Sequence, residues 1–208
     1  MRNQFVNMSV IAIAFLISVI IYPRLGSTIP IHWTGNEQDF TSSKLFGAFF
    51  MPVFMLAIYY LISFLFDIDS LKKNVSGRVK NMTITSVLLS LLTIHIAILT
   101  VGLGFNLNMT MVCGFILGAV TMIISNIVPK VERNRVFGLR TKWTIEDDRV
   151  WKISNRFISK WAFLSGFLII VSVMVAPEQS MYFAIVLLLL IGIVGFIHSY
   201  ITYRKLND

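Results

Sequence analysis

Six apolar stretches, each close to the length that crosses a bilayer as a helix, recur along this chain, over residues 5–22, 45–66, 82–105, 109–128, 158–176 and 181–201. A hydrocarbon core about 30 Å thick takes roughly 20 helical residues. Backbone amides inside lipid must be satisfied within their own segment, so runs of this length fold as helices. The expected fold is therefore all-α: a polytopic integral membrane protein with six transmembrane helices, forming a single membrane domain over 1–208. With 56% hydrophobic and only 13% charged residues, the chain lies outside the range of soluble globular domains.

Charge sets the orientation. A net charge of +8 would suggest nucleic acid in a soluble protein, but here the distribution of the cations argues for topology instead. With the amino terminus inside, every Lys and Arg except Arg24 and Lys44 falls on the cytoplasmic side: Arg2, the 72–80 loop, the 130–160 region and Arg204-Lys205. Both termini are then cytoplasmic, 23–44 is an extracellular loop and 129–157 a cytoplasmic one. Direct nucleic-acid binding is not expected. No small-residue cleavage site follows the first span, which is expected to remain as a helix.

The middles of the spans hold no Asp, Glu, Lys or Arg, whereas proton relays and ion-coupled pumps place such groups at depth. His95 is the one ionisable side chain near a span centre. A neutral imidazole hydrogen-bonded across the bundle is favoured over a proton or ligand role. Asn126, with Ser125 and Thr93, is the remaining polar candidate within the membrane. Gly114 and Gly118 in span four, and Gly192 and Gly195 in span six, are spaced for close backbone approach, and Pro52 is expected to bend span two. Cys113 is the single cysteine and reads as an apolar filler, so neither a disulfide nor a thiolate metal site follows. The short connections at 106–108 and 177–179 make spans three and four, and five and six, antiparallel neighbours.

In the outer loop, Pro23, Gly26, Pro30 and Gly35 punctuate too often for a helix, while Ile29, Ile31 and Trp33 alternate as a short strand would. An ordered extracellular lid is expected, with Trp33 at the headgroup layer. His32, Glu37 and Asp39 match no familiar metal spacing, and a hydrated loop is the favoured reading.

The inner insert, NRVFGLRTKWTIEDDRVWKISNR, is the most charged passage. Asn134 and Gly138 suit backbone conformations that branched residues avoid. Thr144, followed by Glu146, Asp147 and Asp148, reads as a helix N-cap. Beyond it, Val150, Ile153, Phe157 and Trp161 mark an apolar stripe, and Arg149, Lys152, Arg156 and Lys160 a basic one about 100° away. That pattern predicts an amphipathic helix in the inner interface before span five, its cations facing anionic lipid in preference to an acidic protein surface. Trp143 and Trp151 are expected to bracket it at headgroup depth, and Arg140 to clamp carbonyls or a carboxylate. No nucleophile-base pair, phosphate loop or metal pattern appears, so neither an enzyme nor a cofactor is expected.

Two passages resemble one known family. YPRLGSTIPIHW, which contains His32 and Trp33, is similar to the outer motif of the SdpI-type immunity proteins of Gram-positive bacteria. The inner insert is similar to that family's inner motif at Asn134, Gly138, Arg140, Thr141, Trp143, Thr144, Trp151, Asn155 and Arg156. Lys142 stands where the family usually has proline, and Gly26 where proline often follows Leu25. The resemblance implies a multi-pass protein of the bacterial cytoplasmic membrane that protects against a secreted membrane-active peptide toxin. It also implies a receptor role, holding a small winged-helix repressor at the membrane. A small-molecule or lipid transporter is the alternative.

Overall fold

The apolar runs do form helices. The computed structural model describes residues 2–68 and 76–207, which leaves Lys72 and Lys73 of the expected inner cations outside the described residues. Helices α1 (Arg2–Ile21), α2 (Lys44–Ile68), α3 (Gly77–Gly102) and α4 (Met109–Ile127) are followed by a short α5 (Lys142–Glu146) and by α6 (Asp148–Val175) and α7 (Pro177–Asn207). All but α5 are long and apolar enough to cross a membrane. The helix starts are specified locally: Ser76 caps α3 by accepting from the Val79 amide at 3.3 Å, and Asn108 caps α4 by accepting from Met111 at 2.9 Å. Pro52 lies within α2 without ending it.

The helices pack as two trios. α3 lies against α1 and α2, α6 lies between α4 and α7, and the tight α3–α4 connection joins them. That connection turns at Gly104, whose φ of +92° is one that only glycine adopts freely. Bilayer-facing positions are apolar, as at Phe5, Leu16, Phe64, Phe167 and Leu189, all well exposed on the isolated chain. The interior combines apolar side chains such as Met55, Leu88, Leu99 and Ile169 with polar ones: Asn7, Ser18, His95, Ser154, Asn155 and Ser199 are also buried. The polar share suits a solvent as apolar as leucine, in which helices gain from close packing and hydrogen bonds rather than from hiding oil.

The glycines divide accordingly. Gly118 meets Gly166 across α4 and α6, and Gly114 lies against Val173, so this pair is spent within the chain. Gly195 abuts Ile158 and Leu139, while Gly192 has open space around its α-carbon. His95 joins α3 to α1, its Nε2 lying 2.9 Å from the Ser18 hydroxyl, which also lies 2.6 Å from the carbonyl of Ala48 on α2. Asn126 is at the end of α4 rather than inside the bundle; it is exposed and accepts from Lys130 at 3.1 Å.

Between α1 and α2 the expected single strand is a hairpin of β1 (Thr28–Thr34) and β2 (Glu37–Ser43), turning at Gly35, where φ is +61°. Ile29, fully buried, plugs the helix ends between Gly47 and Gly102. Trp33 packs partly on the same core, and Asn36 accepts from the amide of Thr110, fastening the hairpin to the start of α4. His32 and Asp39 pair directly at 2.6 Å, with Thr34 donating to the same carboxylate. Among the described residues no group of His, Cys, Asp and Glu is arranged to hold a metal.

Candidate functional site at the motif end

The end of the bundle opposite the hairpin is closed by residues 130–157, and a polar network builds this closure from the inside. Asn134, fully buried, accepts from the amides of Val136 at 2.9 Å and Phe137 at 2.7 Å, and donates to the carbonyls of Glu132 and Phe137. One side chain thereby satisfies a whole turn of backbone. No non-glycine residue described has positive φ, so Asn134 acts through its amide and not through an unusual backbone. Gly138 does take the unusual backbone, with φ of +112°, and a Cβ there would lie 2.8 Å from Oδ1 of Asn155 and 3.2 Å from the Trp151 ring.

Asn155, on α6, holds the next residue. Its Oδ1 accepts from the Leu139 amide at 2.7 Å and its Nδ2 donates to the Trp151 carbonyl at 3.1 Å. Trp151 is buried and its indole N–H donates to the Val131 carbonyl at 2.8 Å. Trp151 is thus a core residue that ties the α4 exit to α6, rather than an exposed anchor. Trp143 stays nearer the surface, edge-on to Phe196 and tilted on Tyr200 of α7, with ring centroids 5.1 and 5.0 Å away.

The helix caps also fall elsewhere than expected. Thr141, not Thr144, caps α5, and the two threonines satisfy each other in a capping box: the Thr141 amide donates to Thr144 Oγ1 at 2.8 Å, and the Thr144 amide to Thr141 Oγ1 at 3.3 Å. The Thr141 hydroxyl reaches Ser199 of α7 at 3.0 Å, so the box locks the motif to the last helix. Asp147 caps α6, accepting from the Arg149 amide at 2.7 Å.

α6 is continuous from Asp148 to Val175, which corrects the expectation of an interfacial helix that turns before span five: the basic, amphipathic turns are the beginning of the span itself. Its buried side is not the apolar stripe. Val150 is buried, but Ile153 and Trp161 are 44% and 50% exposed, and Ser154, Asn155, Ile158 and Ser159 face inward in their place.

Of the cations, Arg140 clamps a carbonyl, donating to Arg135 at 2.6 Å from an exposed position. Arg149 is paired with Asp147 at 2.9 Å, whereas Lys152, Arg156 and Lys160 project outward on one line of α6. Arg133, which the sequence did not single out, donates to the Ile145 carbonyl at 2.8 Å and pairs with Asp148 at 2.8 Å, closing the carboxyl end of α5. Nothing in the sequence marks it from Arg135 and Arg140 nearby.

The Arg149 side chain, hydrogen-bonded to Asp147, holds that carboxyl below its ordinary range. A depressed carboxylate stabilises the folded state above the unfolded value, about 3.9, and loses that contribution as pH falls through the lower folded value. Thermal unfolding in detergent should therefore show a wild-type advantage over Asp147→Asn that is constant at neutral pH and vanishes in acid. Asparagine keeps the cap, so only the ionic part should titrate.

Residues 130–199 match the family model described as the SdpI/YfhL protein family, and residues 10–56 match a domain of unknown function, DUF1648. Over 207 residues the chain is 34% identical to Immunity protein SdpI of Bacillus subtilis (strain 168), covering 100% of this chain and 99% of that protein. The chain belongs to the SdpI family. A second, partial relative is the uncharacterized membrane protein YbgB of the same organism, 41% identical over 44 residues, 21% of this chain and 48% of that one. No solved structure matches.

As an SdpI-family protein with six apolar helices, it is a multi-pass protein of the cell membrane. Gly138, Thr141, Thr144, Trp151 and Asn155 form one connected unit through Leu139 and the Asn155 side chain, and Asn134 fixes the turn that leads into Gly138. Arg140, Trp143 and Arg156 lie around its rim. His32 and Trp33 belong to the hairpin at the other end, and His95 to the middle of the α1–α3 trio.

Proposed function

We propose that this chain is an immunity protein that protects its cell, from within the membrane, against a secreted membrane-active peptide toxin. The observation that carries this reading is the likeness from end to end to a protein named for immunity, across both the hairpin and the motif. Protection of this kind needs neither covalent chemistry nor a cofactor. The toxin meets the bundle and hairpin from outside, and the motif end faces the cytoplasm, as the one-sided distribution of cations favours. There, Arg140 and Lys142 offer an exposed basic rim suited to an acidic face of a small winged-helix repressor.

The test is membrane potential in toxin-sensitive cells after addition of a sporulation-delay-type peptide. Cells expressing the protein should hold their potential while controls depolarise. Equal depolarisation with well-inserted protein would remove the immunity reading and raise the small-molecule or lipid transporter in its place.

A further inference from the structure

Lys152, Arg156 and Lys160 recur every fourth residue of α6, so they stand in a column with about 6 Å between successive levels. All three are exposed. Together with Phe157 and His198 they line a cleft of about 430 Å³ between α6 and α7, floored by the His198 imidazole stacked on Phe157 at 3.8 Å and 2°. Three cations around an aromatic floor, with no carboxylate among the lining residues, call for an anion.

The cleft does not end there. Phe157 also begins an apolar groove of about 280 Å³ that continues along the same two helices between Trp161 and Ser165 on α6 and Leu187, Leu190, Ile191 and Val194 on α7. It runs away from the motif end, toward the middle of both spans. A cationic head site that opens into an apolar channel directed into the membrane has the polarity of one kind of molecule.

We infer that this cleft and groove bind one anionic phospholipid, its phosphodiester held by Lys152, Arg156 and Lys160 and one acyl chain lying along the groove. A guanidinium can take two phosphate oxygens at once, and the flanking ammonium groups supply charge. The groove alone would give no preference, because an acyl chain loses little by staying among other lipids. Selectivity comes from the head and residence from the tail. The site is independent of the immunity reading, since it would hold a lipid whether or not toxin is bound.

The full chain purified in mild detergent, presented with equal phosphatidylglycerol and phosphatidylcholine, is weighed with its bound lipid by native mass spectrometry. It should retain phosphatidylglycerol over phosphatidylcholine by about tenfold or more, as expected for several cations near one phosphate. K152Q/R156Q/K160Q should lose the preference, and K152R/K160R, which keeps the charge, should retain it with an unchanged melting temperature. Val194→Trp, which fills the groove, should lower lipid occupancy without changing the fold. Equal retention of both lipids by the native protein, or undiminished preference in the triple variant, overturns the assignment. So does complete displacement of phosphatidylglycerol by inorganic phosphate together with no effect of Val194→Trp, since the cleft would then be a site for free phosphate.

Discussion

Replacing Gly118 or Gly166 by alanine should destabilise the protein by about 1–3 kcal/mol, and leucine at either position should prevent α4 and α6 from packing at all. An added Cβ on Gly118 would lie 2.7 Å from the Gly166 carbonyl oxygen, and one on Gly166 would lie 2.7 Å from the Gly118 carbonyl oxygen. Backbone cannot move aside as a side chain can, so the helices must separate along their whole contact. The sign of the effect is the informative part. Alanine favours a helix over glycine by about 1 kcal/mol, so a helix that merely contained a glycine would gain from the change. Gly192 provides that comparison within the same molecule, because nothing lies within 4 Å of where its Cβ would go. Gly192→Ala should therefore raise the detergent melting temperature while Gly118→Ala and Gly166→Ala lower it. A rise in all three would mean that α4 and α6 do not make this contact.

Much of this architecture could be read from apolar run length alone, because lipid demands an uninterrupted stretch and punishes charge within it. The same rule hid the ends of the helices. α6 and α7 extend well beyond the apolar runs at 158–176 and 181–201, since outside hydrocarbon a helix is marked by caps such as Asp147 and no longer by composition. β2, with the sequence EQDFTSS, is almost wholly exposed and so lacks any apolar alternation to announce it. The buried face of α6 is hidden for a related reason: in water an apolar stripe marks the core, whereas here Trp161 and Ile153 face outward, as an interfacial stripe should, and the inward positions are Ser154, Asn155 and Ser159. The motif residues were identifiable as a set by family likeness, but their work was not. Asn134 and Asn155 satisfy backbone groups many residues apart in some cases, and that pairing depends on how the loop folds back across α6, as in the contact from Asn155 to Leu139.

This difference between building the motif and presenting it yields the second large effect. Asn134→Ala should cost about 3 kcal/mol, because it strands the part-buried amides of Val136 and Phe137 and carbonyls of Glu132 and Phe137, and each unsatisfied group costs roughly 1–3 kcal/mol to the extent that water is kept from replacing the partner. Asn134→Asp keeps the two acceptor contacts but loses both donors, so it should fall between alanine and the native residue. Asn155→Ala should act likewise through the Leu139 amide and the Trp151 carbonyl. Arg140→Ala removes one hydrogen bond at an exposed position and should change stability by no more than about 1 kcal/mol. Stability and protection from depolarisation, measured on the same variants, then separate two kinds of motif residue. The asparagines should lose protection in proportion to lost folded protein, as scaffolding does. Arg140→Ala losing protection at full stability would identify that guanidinium as a contact for a partner; retention of protection would confine the recognition surface to other residues of the rim, Trp143 and Lys142 first among them.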